Sequence, residues 1–173
     1  MKNRISRIIF SLLLMMSCHV AAHAAEIAEA LQAVKNISHP VANRYVAGQP
    51  KASEFSDFAK AGVKHVINLR PPSETPDTNE AAIVTKAGMA YYNVPISGTA
   101  DMTLENVKLV DKLLGQIGDE SVLLHCSSGN RAGAVMALRA AWLKGVSNDE
   151  AIAIGKRWGL TRLQSRVERL LMQ

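Results

Sequence analysis

Apolar residues along this chain fall into two alternating kinds of run. Short, nearly unbroken runs end at glycine, proline or serine and read as strands: Arg44–Ala47, then residues 63–69, 89–96 and 121–126. The stretches between them space their apolar residues three and four apart, as an amphipathic helix does. Residues 53–61 place Phe55, Phe58 and Ala59 on one face, with Ser53 as cap and Gly62 as stop. Residues 80–87 predict a short helix ended by Gly88. Thr103 is placed to cap a longer one that carries Leu104, Val107, Val110, Leu113, Leu114 and Ile117 to a stop at Gly118. Residues 131–144 predict a helix ended by Gly145, and Ser147 followed by Glu150 is a capping box opening the next. Thr161 is expected to cap the last helix, with Arg162, Arg166 and Arg169 on a solvated polar face.

This alternation predicts an α/β fold with a central, mostly parallel sheet of four to five strands flanked by helices. In such sheets ligands bind beyond the carboxyl ends of the strands. Arg70, the loop 97–102 and Cys126 all fall at such ends. Residues 71–78 form a polar, proline-rich loop whose Glu74 and Asp77 read as solvated acids. Trp142 and Trp158 read as helix-packing residues.

The first residues follow a different pattern. Lys2, Arg4 and Arg7 precede an apolar core at residues 8–16, too short to span a bilayer, and then Ala22-His23-Ala24. Such a basic start, apolar core and small-x-small site mark a cleaved secretory leader. The expected organisation is therefore a leader at 1–24, a short helix-prone, loosely packed arm at 25–37 and a catalytic domain at 38–173. The expected location is periplasmic or secreted, with no stable membrane anchor. Met15, three places before Cys18, argues against a lipoprotein signal.

Removing the leader takes away three basic residues and no acidic one, so the formal charge falls from +5 to +2. The basicity is thus partly leader, and no nucleic-acid partner is expected. Cleavage also leaves Cys126 as the single cysteine, which excludes an internal disulfide. One cysteine and three scattered histidines show no metal-ligand spacing, so neither a metal nor a cofactor is expected.

The chemistry concentrates at Cys126. An apolar strand delivers it to a turn of Ser127, Ser128, Gly129 and Asn130, followed by Arg131 at the start of a helix. Successive backbone N–H groups and the positive helix end then converge on one spot, which favours an anion and a thiolate. Arg131 supplies a planar fork for an oxyanion. The expected catalytic residues on this geometry are Cys126 as nucleophile and Arg131. The expected substrate-binding residues are His125, which orients the loop, the backbone of Ser127, Ser128, Gly129 and Asn130, and Arg70.

The His125-Cys126-loop-Arg131-helix unit resembles the protein tyrosine and dual-specificity phosphatase superfamily. Tyr45-Val46-Ala47-Gly48-Gln49-Pro50, Val66-Ile67-Asn68-Leu69-Arg70 and Val94-Pro95-Ile96, in that order, look like the bacterial phosphatase-like domain also found fused to beta-lactamase-like metallohydrolases. The resemblance covers roughly residues 38–160 and implies a phosphatase-like fold. Three departures stand out. Only four residues separate Cys126 from Arg131, one fewer than in those phosphatases. Ala132 stands where they carry a hydroxyl, and Ser97-Gly98 follows the proline strand where they carry an acid; the resemblance makes the nearest acid, Asp101, the third expected catalytic residue as a displaced general acid, the alternative being a solvated residue ahead of the Thr103 cap. The shorter loop looks like that of rhodanese-type sulfurtransferases, and the bacterial domain family is thought to include such enzymes. The resemblance therefore implies a covalent intermediate on Cys126 and a small anionic substrate. Thiosulfate or a persulfide with a thiol acceptor is the favoured reading. A phosphoester hydrolysed through a phosphocysteine is the alternative, and a non-catalytic anion-binding module is the third.

Overall fold

The computed structural model describes residues 29–173. The expected leader, with its cleavage site and Cys18, and the first residues of the arm lie outside the described residues.

Five strands form one sheet: β1 (Ser38–Val41), β2 (Arg44–Ala47), β3 (His65–Asn68), β4 (Ala90–Asn93) and β5 (Val122–His125). Their order is β1-β2-β5-β3-β4, with β1 antiparallel and every other pair parallel. The register sets Ala47, His125 and Asn68 side by side, with Asn93 next to Asn68. All four parallel strands therefore end at one edge, and the loops carrying Gly48, Arg70, Ile96 and Cys126 start there. The strand β1 is a departure from the expected pattern. Its sequence Ser38-His39-Pro40-Val41 lacks alternation, and it is held as an edge partner by a tight turn with Asn43 at φ 58°.

Six helices surround the sheet: α1 (Glu54–Lys60), α2 (Glu80–Lys86), α3 (Leu104–Ile117), α4 (Asn130–Lys144), α5 (Asn148–Arg157) and α6 (Gln164–Leu171). Strand side chains alternate between two cores, as the pleat requires. Val46, Ile67, Val122 and Leu124 face α3–α6, whereas Tyr45, Ala47, Val66 and Leu123 face α1 and α2. Burial on both faces explains the unbroken apolar runs of β3 and β5. The helix α4 is buried on nearly every side, from Ala132 through Leu138. It touches α5 through glycine, since a Cβ on Gly133 would lie 2.7 Å from the Gly155 carbonyl oxygen.

Two of the expected helix caps form and two do not. The Thr103 and Ser147 side chains accept from Asn106 and Glu150 N–H at 3.3 and 3.4 Å. Ser53 makes no capping bond; the Glu54 carboxylate instead accepts from Lys51 N–H at 2.8 Å. The last helix begins three residues after Thr161, because the turn at 161–163 is held elsewhere. The described part of the arm, from Glu29 on, is not loose. Leu31 and Val34 are buried in the α1/α2 core, and Lys35 carbonyl accepts from Gly48 N–H at 2.7 Å.

Candidate active site

The loop between β5 and α4 is held by its carbonyls. Ser127 carbonyl accepts from Gln49 N–H at 3.3 Å and Ser128 carbonyl from Asn36 Nδ2 at 2.9 Å, while Gly129 carbonyl accepts from Gly133 N–H at 3.0 Å. A trans peptide points its C=O and the following N–H in opposite directions. Tying the Ser127 carbonyl toward β2 therefore turns the Ser128 amide the other way, and the Gly129 carbonyl does the same for Asn130. Among the described residues, the N–H groups of Ser127, Ser128, Asn130 and Arg131 have no acceptor in the protein. Gly129 makes the turn possible at φ 83°, a conformation costly for any side chain. With the α4 dipole behind them, these amides form an electropositive cradle.

Cys126 lies at the base of this loop, 1% exposed, in the core on the α3–α6 side. Beside the loop opens a cavity of about 320 Å³ lined by Ser97, Gly98, Ser127, Ser128, Asn130, Arg131, Arg162 and Leu163; Cys126 and Gly129 are not among the lining residues, and Cys126 meets the cavity through Arg131, whose guanidinium it helps to keep charged. Arg131 is anchored from behind. Its Nη1 and Nη2 donate to the two carboxylate oxygens of Glu74 at 2.7 Å each, and Nη1 also donates to Ile96 carbonyl at 2.6 Å. Burial works against its charge, but Glu74 and Cys126 outweigh it and hold the guanidinium pKa above its ordinary value. The hydrogen bonds from Arg131, opposed by burial and aided by Arg70, hold the Glu74 carboxyl below the usual carboxylate range.

Three expected site residues take other places. His125 does not reach the cavity: it is wholly buried, its Nε2 sits 3.0 Å from Glu80 Oε1, and its ring packs edge-on to Phe55. The reason is the strand period, which sends neighbouring residues to opposite faces, His125 toward α1 and Cys126 toward α3–α6. Arg70 also lies outside the cavity lining. Its Nε donates to Glu74 at 3.0 Å and its Nη1 to Gln49 Oε1 at 2.6 Å, so it braces Glu74 rather than facing a ligand. Asp101 stands behind Ser97, accepting from its N–H at 2.8 Å and from its hydroxyl. The Ser97 side-chain and backbone donors hold the Asp101 carboxyl below its ordinary value, so it stays ionised.

Several residues that the sequence did not single out belong to this arrangement. Glu74, expected to be solvated, is the anchor of Arg131. Gln49 links Arg70 to Glu80, and Glu80, 4% exposed, also accepts from Asn68 Nδ2 at 2.8 Å. A continuous hydrogen-bonded path thus runs from His125 through Glu80, Gln49, Arg70 and Glu74 to Arg131. The only sequence signal was Gln49 within the Tyr45–Pro50 segment. Glu80 looked like an ordinary acid in the first turn of a helix, and Arg162 like one of a solvated stripe.

The Glu74 clamp predicts a specific acid sensitivity. Because the folded pKa of Glu74 lies below its ordinary value of 4.5, its contribution to stability is complete above that value and is lost as pH falls through the folded pKa. Urea midpoints of the wild type should therefore drop between neutral pH and pH about 3 by more than those of Glu74→Gln. At neutral pH the variant should also lose about 10²-fold in turnover, because Arg131 loses its fixed aim. Equal acid dependence in both proteins would refute the clamp.

Among the described residues, no group of three or more metal-ligating side chains occurs, and no helix is long and apolar enough to cross a membrane.

A family model described as "Polymorphic toxin system, DSP-PTPase phosphatase" matches residues 41–145. The chain is 35% identical over 134 residues to the beta-lactamase hydrolase-like protein of Xylella fastidiosa strain 9a5c, covering 74% of this chain and 31% of that one. It therefore spans about a third of the length of that curated relative. A DUF442 structure from Shewanella putrefaciens CN-32 superposes with a TM-score of 0.64 at 24% identity, over 83% of this chain and 95% of that one. TpbA of P. aeruginosa, solved in complex with pTyr, superposes with a TM-score of 0.55 at 18% identity, over 78% and 83%. At these identities the two structures speak to the fold, a tyrosine-phosphatase-like α/β architecture.

Proposed function

The chain belongs to the DSP-PTPase phosphatase family of polymorphic toxin systems, and from that premise we propose that it is a Cys126-dependent sulfurtransferase built on the phosphatase fold. The observation that carries this reading is the pairing of a complete anion cradle with the lack of a placed acid. Four residues join Cys126 to Arg131. The nearest acid to the proline strand, Asp101, is half-buried, ionised and tied to Ser97.

The two candidate reactions differ in their need for that acid. Cleaving a phosphate ester expels an alkoxide or phenoxide, a step that gains about 10²–10⁴-fold from a positioned proton donor. Thiosulfate instead expels sulfite, an anion that leaves without a proton. The Cys126 thiolate attacks the outer sulfur, the S–S bond breaks, and its electron pair departs with sulfite. The loop amides hold the sulfonate oxygens through the step, and Arg131, with Nη1 and Nη2 on Glu74, adds its charge and its remaining Nε–H. Cys126 is left as a persulfide. A thiolate acceptor then attacks its terminal sulfur, a bond forms between the acceptor sulfur and that sulfur, the bond from it to Cys126 Sγ breaks, and the electron pair of the broken bond returns to Cys126 as thiolate.

We also assign the protein to the periplasm or the cell exterior, on the basic start, apolar core and Ala22-His23-Ala24 of the leader. A single thiol exported without a disulfide partner is consistent with a reacting group rather than a structural one.

The second reading, phosphomonoester hydrolysis through a phosphocysteine, is favoured by the family description and would use the same cradle. Incubation with thiosulfate, and separately with an aryl phosphate, distinguishes them. The sulfur reading expects intact mass to rise by one sulfur atom on Cys126, with aryl phosphate turned over slowly or not at all. Asp101→Asn should leave sulfur transfer within about twofold of wild type, where a general acid would lose at least tenfold. Rapid ester turnover that collapses in Asp101→Asn, without sulfur uptake, would overturn the sulfur reading.

A further inference from the structure

The turn before α6 is fastened to the Cys126 loop by two hydrogen bonds and approaches it closely at a third point. Asn130 Oδ1 accepts from Thr161 N–H at 2.8 Å and from Leu163 N–H at 3.4 Å. Gly159, at φ 93°, lies so near the loop that a Cβ there would stand 3.1 Å from Gly129 carbonyl oxygen. Arg162 sits between the two N–H groups that Asn130 holds. Its backbone is therefore fixed with respect to Cys126, while its side chain lines the cavity from the exposed side.

The charges around the cavity are unequal in availability. Arg131 and Arg70 are both committed to Glu74. Among the described residues, Arg162 takes part in no ion pair and its side chain donates no hydrogen bond. On another part of the rim, Ser97 and Gly98 are backed by the ionised Asp101. An anionic group entering the cavity is thus repelled from the Ser97 side and drawn to Arg162, whose fork suits a carboxylate.

We propose that Arg162 selects an acceptor thiol bearing a carboxylate, which it holds at the cavity mouth while the acceptor sulfur meets the Cys126 persulfide. This inference rests on the sulfur-transfer reading and names its acceptor class. The acceptor reaches the site as a thiolate, its proton lost to solvent. Its sulfur bonds to the terminal sulfur, the bond to Cys126 Sγ breaks, and the products are an acceptor persulfide and the free Cys126 thiolate. The cradle at the cavity floor binds the donor's oxyanion, and Arg162 acts on the molecule that follows it.

The test compares two acceptors with thiosulfate as donor: mercaptosuccinate, which carries two carboxylates, and 2-mercaptoethanol, which carries none. The measured quantity is the ratio of their kcat/KM values, so that the intrinsic reactivity of each thiol cancels between variants. Arg162→Ala should lower the ratio about tenfold or more, through KM for mercaptosuccinate rather than kcat, and Arg162→Lys should recover part of it. A ratio within about twofold of wild type in Arg162→Ala overturns the proposal. A second arm does not depend on turnover. Mercaptosuccinate titrated into Cys126→Ser should bind about tenfold more weakly once Arg162→Ala is added, and equal binding overturns the proposal. If the wild type takes up no sulfur from thiosulfate, the sulfur-transfer reading falls, and the titration alone still decides the role of Arg162.

Discussion

Cys126→Ser should abolish sulfur uptake and turnover while leaving the fold intact. A hydroxyl at this position lacks the nucleophilic anion that a thiolate supplies, and no neighbour is placed to activate it. His125 is the adjacent residue, but it faces Glu80 across the sheet and cannot act as a base toward Cys126. No other cysteine among the described residues can substitute, since Cys126 is the one free thiol there. The loss should reach at least about 10³-fold, the scale of removing a covalent nucleophile. Sulfur exchange for oxygen is nearly isosteric, so the variant's thermal midpoint should lie within a few degrees of wild type. Intact mass after thiosulfate treatment and the rate of sulfite release check the first part. Undiminished rates with an unshifted midpoint would remove Cys126 from the chemistry and leave an anion-binding module.

Gly133→Ala should destabilise the protein by about 3 kcal/mol or more, one of the largest effects of any single methyl group in this fold. The Cβ would stand 2.1 Å from Leu160 backbone nitrogen and 2.7 Å from Gly155 carbonyl oxygen. Both obstacles are backbone, so neither can move aside by a change of rotamer. Relief requires α4 and α5 to separate, which also pulls on the turn that carries Arg162 and on the Cys126 loop, whose Gly129 carbonyl accepts from Gly133 N–H. The midpoint of thermal unfolding should fall by roughly 10 °C, and activity should fall with it. Gly115→Ala is the matched control. That glycine lies inside α3 with no atom within 4 Å of an added Cβ, and the same substitution there should stabilise by about 0.5–1 kcal/mol through helix propensity. A Gly133→Ala midpoint equal to wild type would mean that the helices do not approach as closely as described.

These two residues illustrate how differently the fold and the site were written in the sequence. Cys126 stood out because a strand, a small-residue turn, an arginine and a helix are neighbours in the chain, and their combined field follows from local geometry. Gly133 did not stand out, since a glycine in a helix reads as a weak point until its contact partner at Gly155 is known. Thr103 and Ser147 were legible as caps because a cap and its amide lie three residues apart. Thr161 is no cap because Asn130, distant in the chain, takes up the Leu163 N–H that a cap at 161 would bind.

The roles of His125, Arg70 and Glu74 show the same division. The sequence placed His125 and Arg70 near the catalytic loop, and by backbone position they are near it. The pleat and the Glu74 carboxylate then turned both side chains away from the cavity. Glu74 lies 57 residues before Arg131 in a proline-rich loop with no periodicity, so nothing local distinguished it from Asp77.

The linear pattern of residues was enough for the alternation of strands and helices, the parallel α/β class, the edge of the sheet at which the candidate site lies, and the thiol and arginine that flank a four-residue loop. Hydrophobic periodicity and turn chemistry act over a few residues, so a linear reading recovers them. Packing of distant segments settled which charges are paired and which are not: Arg131 and Arg70 with Glu74, Asp101 with Ser97, and Arg162 with no partner among the described residues. Those outcomes depend on side chains brought together from distant segments, and the energy of such a pair depends on separation in space rather than along the chain.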